Sequence, residues 1–184
     1  TGNIWYNFKG KAWRLKKDQD LESSQFIRCN QIDYNNIKIL SSFNHRSIEL
    51  ENWISVVNPV SDQNIGSSIK FCYLAEGKVD FYPRTSPTME WDIAAGHSIL
   101  KAAGGNVISN LGIEMRYGKE NFKNKNFLAY GLTDSLPCKF LLNLNNTYNE
   151  KYEIDLNLGV KALNKKELVA FPTETVYGIG AIGN

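Results

Sequence analysis

Trp91-Asp92-Ile93-Ala94-Ala95-Gly96 sets one carboxylate at the start of an apolar stretch whose small residues let a neighbouring backbone come close. The stretch runs on to Ala102-Ala103-Gly104-Gly105, so the spacing predicts a helix from Trp91 to Ala103, ended by the glycine pair, with a strand starting at Val107-Ile108. Upstream, Ile69, Cys72, Tyr73 and Leu74 share a predicted helix from Ser67 to Glu76 that Gly77 stops, and Val79 and Phe81 alternate in a strand after it. A loop from Pro83 to Pro87 leads back to the Trp91 helix.

Further out, Ile37 to Ser41 is a short apolar strand, followed by the polar loop Asn44-His45-Arg46-Ser47 and a helix carrying Ile48, Leu50, Trp53 and Ile54. Ile4 to Trp13 reads as a hairpin about Gly10, its first strand ending at Tyr6 and returning through Ala12-Trp13-Arg14. Phe127 to Gly131 is a last strand, and Ser135 to Leu142 a helix with Pro137 in its first turn. Strands alternating with helices define an α/β fold, a mixed sheet flanked by helices. The asparagine-rich stretch from Asn143 to Glu150 reads as a linker, giving a domain over 1–143, a linker over 144–155 and the start of a second domain over 156–184. In that last part Leu156 to Leu168 resembles a short basic helix, and Val169-Ala170-Phe171 a buried strand before Pro172.

A net charge of +2 on 184 residues, with Lys16-Lys17 and Lys165-Lys166 only as pairs, argues for neither a nucleic-acid nor a membrane surface. No apolar run reaches the roughly 20 residues of a membrane span and no signal-peptide pattern opens the chain, so the expectation is a cytoplasmic protein. Cys29, Cys72 and Cys138 are far apart, with no CxxC pair, and read as reduced thiols rather than a disulfide or zinc framework.

Asp92 is the strongest candidate for chemistry, because a metal holding a phosphate needs hard oxygen ligands. Spacing alone is also met by an ordinary first-turn aspartate, which helix starts favour. Gly66-Ser67-Ser68 precedes a helix, where backbone N–H groups and hydroxyls converge on an anion and Lys70 adds charge; an ordinary serine cap with a solvated lysine is the plainer alternative. Arg84 can take a phosphate in bidentate fashion or make a surface salt bridge. His45 sits in a loop from which imidazole can reach a base or phosphate, whereas His97, on the Asp92 helix, reads as packing.

Taken together, Gly66-Ser67-Ser68-Ile69-Lys70-Phe71, Tyr82-Pro83-Arg84 and Trp91-Asp92-Ile93-Ala94-Ala95-Gly96 resemble the C-terminal half of the magnesium-dependent inositol monophosphatase superfamily, a layered α-β-α-β-α sandwich. More narrowly they are similar to its 3'(2'),5'-bisphosphate nucleotidases of the CysQ type, over roughly Ile4 to Gly131 and including Gly10-Lys11-Ala12-Trp13. The resemblance implies hydrolysis of 3'-phosphoadenosine 5'-phosphate to AMP and phosphate, a recycling step in sulfur assimilation, with Mg2+ as cofactor and a nucleotide bisphosphate as small-molecule partner. It implies Asp92 as catalytic residue and metal ligand, and His45, Gly66, Ser67, Lys70, Arg84 and Asp92 around the substrate. Arg84 stands where inositol monophosphatases tend to carry glutamate, which favours a doubly phosphorylated nucleotide. An inositol or sugar bisphosphate phosphatase is the alternative.

The superfamily's Asp-Pro-x-Asp-Gly-Thr metal motif does not occur in these residues. The expectation is therefore a fragment that needs the N-terminal half of its domain and gives negligible hydrolysis alone; a non-catalytic nucleotide-binding module, with weak anion affinity through His45, Lys70 and Arg84, is a further alternative. Leu168 to Ala181, containing Phe171-Pro172-Thr173-Glu174-Thr175, resembles the opening of a YrdC-like threonylcarbamoyl-AMP synthase, an enzyme of tRNA modification. That resemblance implies a fusion protein, with Thr173 and Thr175 near ligand in a complete domain.

Overall fold

The computed structural model describes residues 2–42, 46–110, 112–137 and 140–141, together with the backbone of 169–172 and 177–180. Contacts divide the chain into two units, Thr1–Leu144 and Asn145–Asn184. The predicted linker and the predicted helix of residues 156–168 lie outside the described residues.

The first unit opens with β1 (Asn3–Phe8) and β2 (Lys11–Lys16), an antiparallel hairpin, and β3 (Gln25–Ile27) adds to β2. Lys9 and Gly10 both take positive φ, 50° and 71°, which is what a two-residue hairpin turn between right-twisted strands needs. The hairpin is as expected, though its first strand runs on to Phe8.

Next come β4 (Lys38–Ser41), α1 (Ile48–Val57), β5 (Ser61–Asn64), α2 (Ile69–Ala75) and β6 (Phe81–Arg84). The short β7 (Thr88–Met89) leads into α3 (Glu90–Ala102), followed by β8 (Asn106–Ser109), β9 (Lys123–Asn124) and β10 (Phe127–Tyr130). β7 pairs with β9, and five strands form a mixed sheet in the order β5-β4-β6-β10-β8. β4 is parallel to both its neighbours, while β10 is antiparallel to β6 and β8.

Alternation along the strands splits the sheet's side chains between two cores. Leu40, Tyr82, Val107, Phe127 and Ala129 join Phe71 and Leu74 of α2 and Ile93 and Leu100 of α3. Ile39, Phe81, Ile108 and Leu128 face the other way onto Leu50, Trp53 and Val57 of α1. Ala12 and Ile27 of the small sheet close the first core from its far side. The result is four layers: α1, the five-stranded sheet, α2 with α3, and the three-stranded sheet. Each fully buried phenylalanine among Phe71, Phe81, Phe127 and Phe140 contributes about 1.5–3 kcal/mol.

Two expectations fail. Arg84 lies not in a loop but at the end of β6, whose parallel register with β4 is confined to Ile39 opposite Phe81. The strand is leaving β4 by the time it reaches Pro83, which has no N–H to give. The helix expected over Ser135 to Leu142 is absent at Ser135, Leu136 and Pro137. The Ser135 carbonyl is taken by the Tyr34 and Thr133 hydroxyls at 2.9 and 2.8 Å, and Phe140 is drawn into a stack on Phe81 with centroids 5.3 Å apart.

In the second unit, β11 (Val169–Pro172) and β12 (Tyr177–Gly180) pair antiparallel, so a strand does run through Val169 to Phe171. Among the described residues no helix is long and apolar enough to cross a membrane.

Candidate active site

The chain leaves β4, turns through α1 on one face of the sheet and adds β5; it then crosses by α2 on the other face to place β6 on the opposite side of β4. Such a divergence opens a crevice beyond the carboxyl ends of the two parallel strands, the place where open α/β sheets bind ligands. Ser42 follows β4 and Arg84 ends β6, and both line a cleft of about 560 Å³ with Gly66, Ser67, Ser68, Lys70, Tyr82, Trp91 and Asp92. Five of the six site residues expected from sequence, Gly66, Ser67, Lys70, Arg84 and Asp92, thus converge. His45 lies outside the described residues.

Arg84 is half-buried and held at two points. Its Nη1 donates to Ser42 Oγ at 2.7 Å and its Nε to the Ser86 carbonyl at 3.2 Å. Lys70 is almost fully buried, at 3% exposure, and its ammonium donates to the Ile65 and Ser67 carbonyls at 2.8 and 2.9 Å, with Nζ 4.7 Å from the Tyr82 ring centroid. Burial, and secondarily the nearby Arg84 charge, pull the Lys70 pKa down to about 8. Burial pushes the Tyr82 phenol up.

Ser67 takes a left-handed φ of 69°, which residues with a Cβ adopt sparingly. A Cβ placed on Gly66 would meet nothing within 4 Å, so no protein neighbour demands a glycine there. Asp92 is exposed in the first turn of α3, and its Oδ2 accepts from the Met89 N–H at 2.8 Å, so it also serves the helix start. The carboxylate that serves the helix start therefore also lines the cleft. Trp91 stands beside it, 65% exposed, with its ring 6.2 Å from that of Phe122.

α3 reaches this position because Gly96 lets it close on α2: a Cβ there would lie 2.6 Å from Phe71 Cδ2. His97 is buried, with Nδ1 2.8 Å from the Tyr117 hydroxyl, and plays the packing part expected of it. Sequence reasoning assigned no role to Ser42, Tyr82 or Trp91. The pair Ser41-Ser42 at a strand's carboxyl end was a usable signal for the first.

Among the described residues Asp92 is the one carboxylate lining the cleft, and no group of three or more histidine, cysteine or acidic residues among them could hold a metal ion. One hard oxygen donor is fewer than magnesium takes from protein and phosphate together. The described residues fit one ligand position and do not complete a metal site.

Arg84, Gly66 and Asp92 thus share one cleft at a switch point of an α/β sheet. The chain belongs to the inositol monophosphatase family, whose pattern it matches over residues 6–130. It is 35% identical over 127 residues to the 3'(2'),5'-bisphosphate nucleotidase CysQ of Escherichia coli K12, covering 68% of this chain and 49% of that one. It is also 34% identical over 132 residues to CysQ of Buchnera aphidicola, covering 70% of this chain and 48% of the relative. The chain thus spans about half the length of these curated nucleotidases. An uncharacterised Rhizobium leguminosarum protein is 53% identical over 74 residues, 37% of this chain and 78% of that protein. Among solved structures, CysQ from Bacteroides thetaiotaomicron superposes with a TM-score of 0.60 at 30% identity, over 72% of this chain and 55% of that one. That family is generally metal-dependent.

Proposed function

We propose that this chain is part of a magnesium-dependent phosphatase that removes the 3'-phosphate of 3'-phosphoadenosine 5'-phosphate. Water attacks phosphorus, the bond to the 3'-oxygen breaks, and the products are AMP and inorganic phosphate. The observation that carries the reading is Arg84, fixed by Ser42 and Ser86 in the same cleft as Asp92. A guanidinium pinned on one side keeps N–H donors for a bidentate phosphate contact at little further entropic cost. The nucleotidase names of the relatives support the same substrate class.

In this proposal Gly66 leaves room for substrate, the Ser67 hydroxyl and Arg84 bind phosphate, and Lys70 stands in the cleft wall. His45 as a nucleotide contact rests on the resemblance alone. Asp92 supplies one magnesium ligand, the others coming from residues beyond those described. Magnesium would polarise the phosphoryl oxygens. A cytoplasmic setting belongs to the same proposal. The 184-residue chain by itself is expected to bind nucleotide weakly and turn it over negligibly.

Phosphate release from 3'-phosphoadenosine 5'-phosphate, inositol 1-phosphate and fructose 1,6-bisphosphate, by the natural protein with magnesium, tests the substrate. A preference for either of the last two sinks the nucleotidase reading. Calorimetry of the 184-residue chain with AMP, with and without magnesium, separates binding from catalysis. For residues 168–181 the sequence motif supports the synthase resemblance, and ATP- and threonine-dependent pyrophosphate release by the natural protein tests it.

A further inference from the structure

We propose that Lys70 is a positioning residue, whose ammonium grips the turn before α2 by two carbonyls and so aims that turn's backbone N–H groups into the cleft. The Ile65 and Ser67 carbonyls, two residues apart, both turn onto Nζ, at 2.8 and 2.9 Å. The peptides that carry them also carry the N–H groups of Gly66 and Ser68. No peptide bond in the described chain is cis, and in a trans peptide the N–H points opposite to the C=O. Gly66 N–H and Ser68 N–H are therefore directed away from the ammonium. Both residues line the cleft, and neither N–H has a protein acceptor among the described residues.

The turn does not hold itself. Ser67 sits at φ 69°, a conformation that strains a residue with a Cβ, so something must over-determine it. Lys70 does so with two of its three N–H donors, and the Tyr82 ring lies against the same ammonium. A lysine committed in this way acts on a bound anion through the turn. Arg84 remains the cation that meets an anion directly.

The experiment uses the 15N-labelled 184-residue chain without ligand, and its first arm stands apart from the phosphatase reading. In Lys70→Met the order parameters of Gly66, Ser67 and Ser68 should fall from about 0.85 to below about 0.6, while Phe127 to Tyr130 stay rigid as a fold control. Lys70→Gln keeps N–H donors without the charge and should hold the turn better than methionine. A second arm titrates inorganic phosphate: glutamine should retain affinity within about twofold of the parent, and methionine should lose about tenfold. A turn equally ordered in Lys70→Met overturns the proposal, as does a glutamine variant that loses phosphate as fully as methionine. Should methionine prevent folding, the glutamine titration decides. A parent chain that ignores phosphate counts against the phosphatase reading and leaves the relaxation arm to decide the role of Lys70.

Discussion

Arg84 Nη1 donates to Ser42 Oγ across 2.7 Å, tying together the carboxyl ends of β6 and β4 at the point where those strands part. The bond spans 42 positions of sequence and sets the guanidinium in the cleft. Replacing Arg84 by lysine keeps the charge and loses the fork. AMP binding by the 184-residue chain should weaken by about 1–2 kcal/mol, roughly tenfold, with little change in thermal midpoint. Unchanged affinity in calorimetry would remove Arg84 from the site.

Gly96 is the contact that lets α3 lie on α2. Gly96→Ala puts a methyl into the Phe71 ring and should cost about 1–3 kcal/mol, read as a lower urea midpoint at constant slope. Adding Phe71→Leu to the alanine variant should recover part of the loss, because the space conflict is local.

Glu90 bridges the start of α3 to the segment before β9. Its carboxylate accepts from the Lys119 ammonium at 2.6 Å and from the N–H groups of Lys119 and Gly118 at 3.0 and 2.9 Å. The Lys119 side chain foremost, then the backbone donors, hold its pKa at about 2 instead of the usual 4.5. The folded value is depressed, so the unfolded chain takes up the proton first. The stabilisation is whole above pH 4.5 and drains away as pH falls toward 2. Glu90→Gln should flatten that limb of the stability curve, measured by denaturant melts at successive pH values.

Cys29 and Cys72 are buried, and burial pushes their thiols up to about 12 and about 11. Little thiolate exists near neutrality, and access is poor. A thiol reagent at pH 8 should label neither in the folded chain and both in denaturant, as peptide mapping would reveal. Rapid labelling of either residue under native conditions contradicts the structure.

Trp91 is exposed at the cleft, whereas Trp53 is buried. Trp91→Phe should remove the part of the emission that iodide quenches most, and with it most of any change that AMP induces. An AMP response that survives the substitution would place the ligand elsewhere.

Much of the fold is legible in residue patterns because the elements around the cores repeat their apolar residues with clean periods. The helices at Ile48, Ile69 and Glu90 are of this kind, and the strands at Lys38, Asn106 and Phe127 show instead as short continuous apolar runs. β5 was not anticipated: Ser61-Asp62-Gln63-Asn64 is polar because it lies at the sheet edge, where pairing comes from the backbone of β4. The lost helix after Ser135 shows the converse. Pro137 suits a helix start, yet hydroxyls from Tyr34 and Thr133 claim the Ser135 carbonyl, and Tyr34 is distant in sequence.

The candidate site divides in the same way. Residue types and local order single out groups that turn out to share the cleft: the Gly66-Ser67-Ser68 turn, the arginine after Tyr82-Pro83, and the aspartate that opens a small-residue helix. Only the tertiary structure decided what holds them. It made Asp92 the acceptor for the Met89 N–H, and it set Lys70 as a buried cation on the Ile65 and Ser67 carbonyls. The reason is physical: a side chain's chemistry is written in its own atoms, but its partners are set by chain crossings. Here the crossing of β4, α1, β5, α2 and β6 brings distant residues to one crevice.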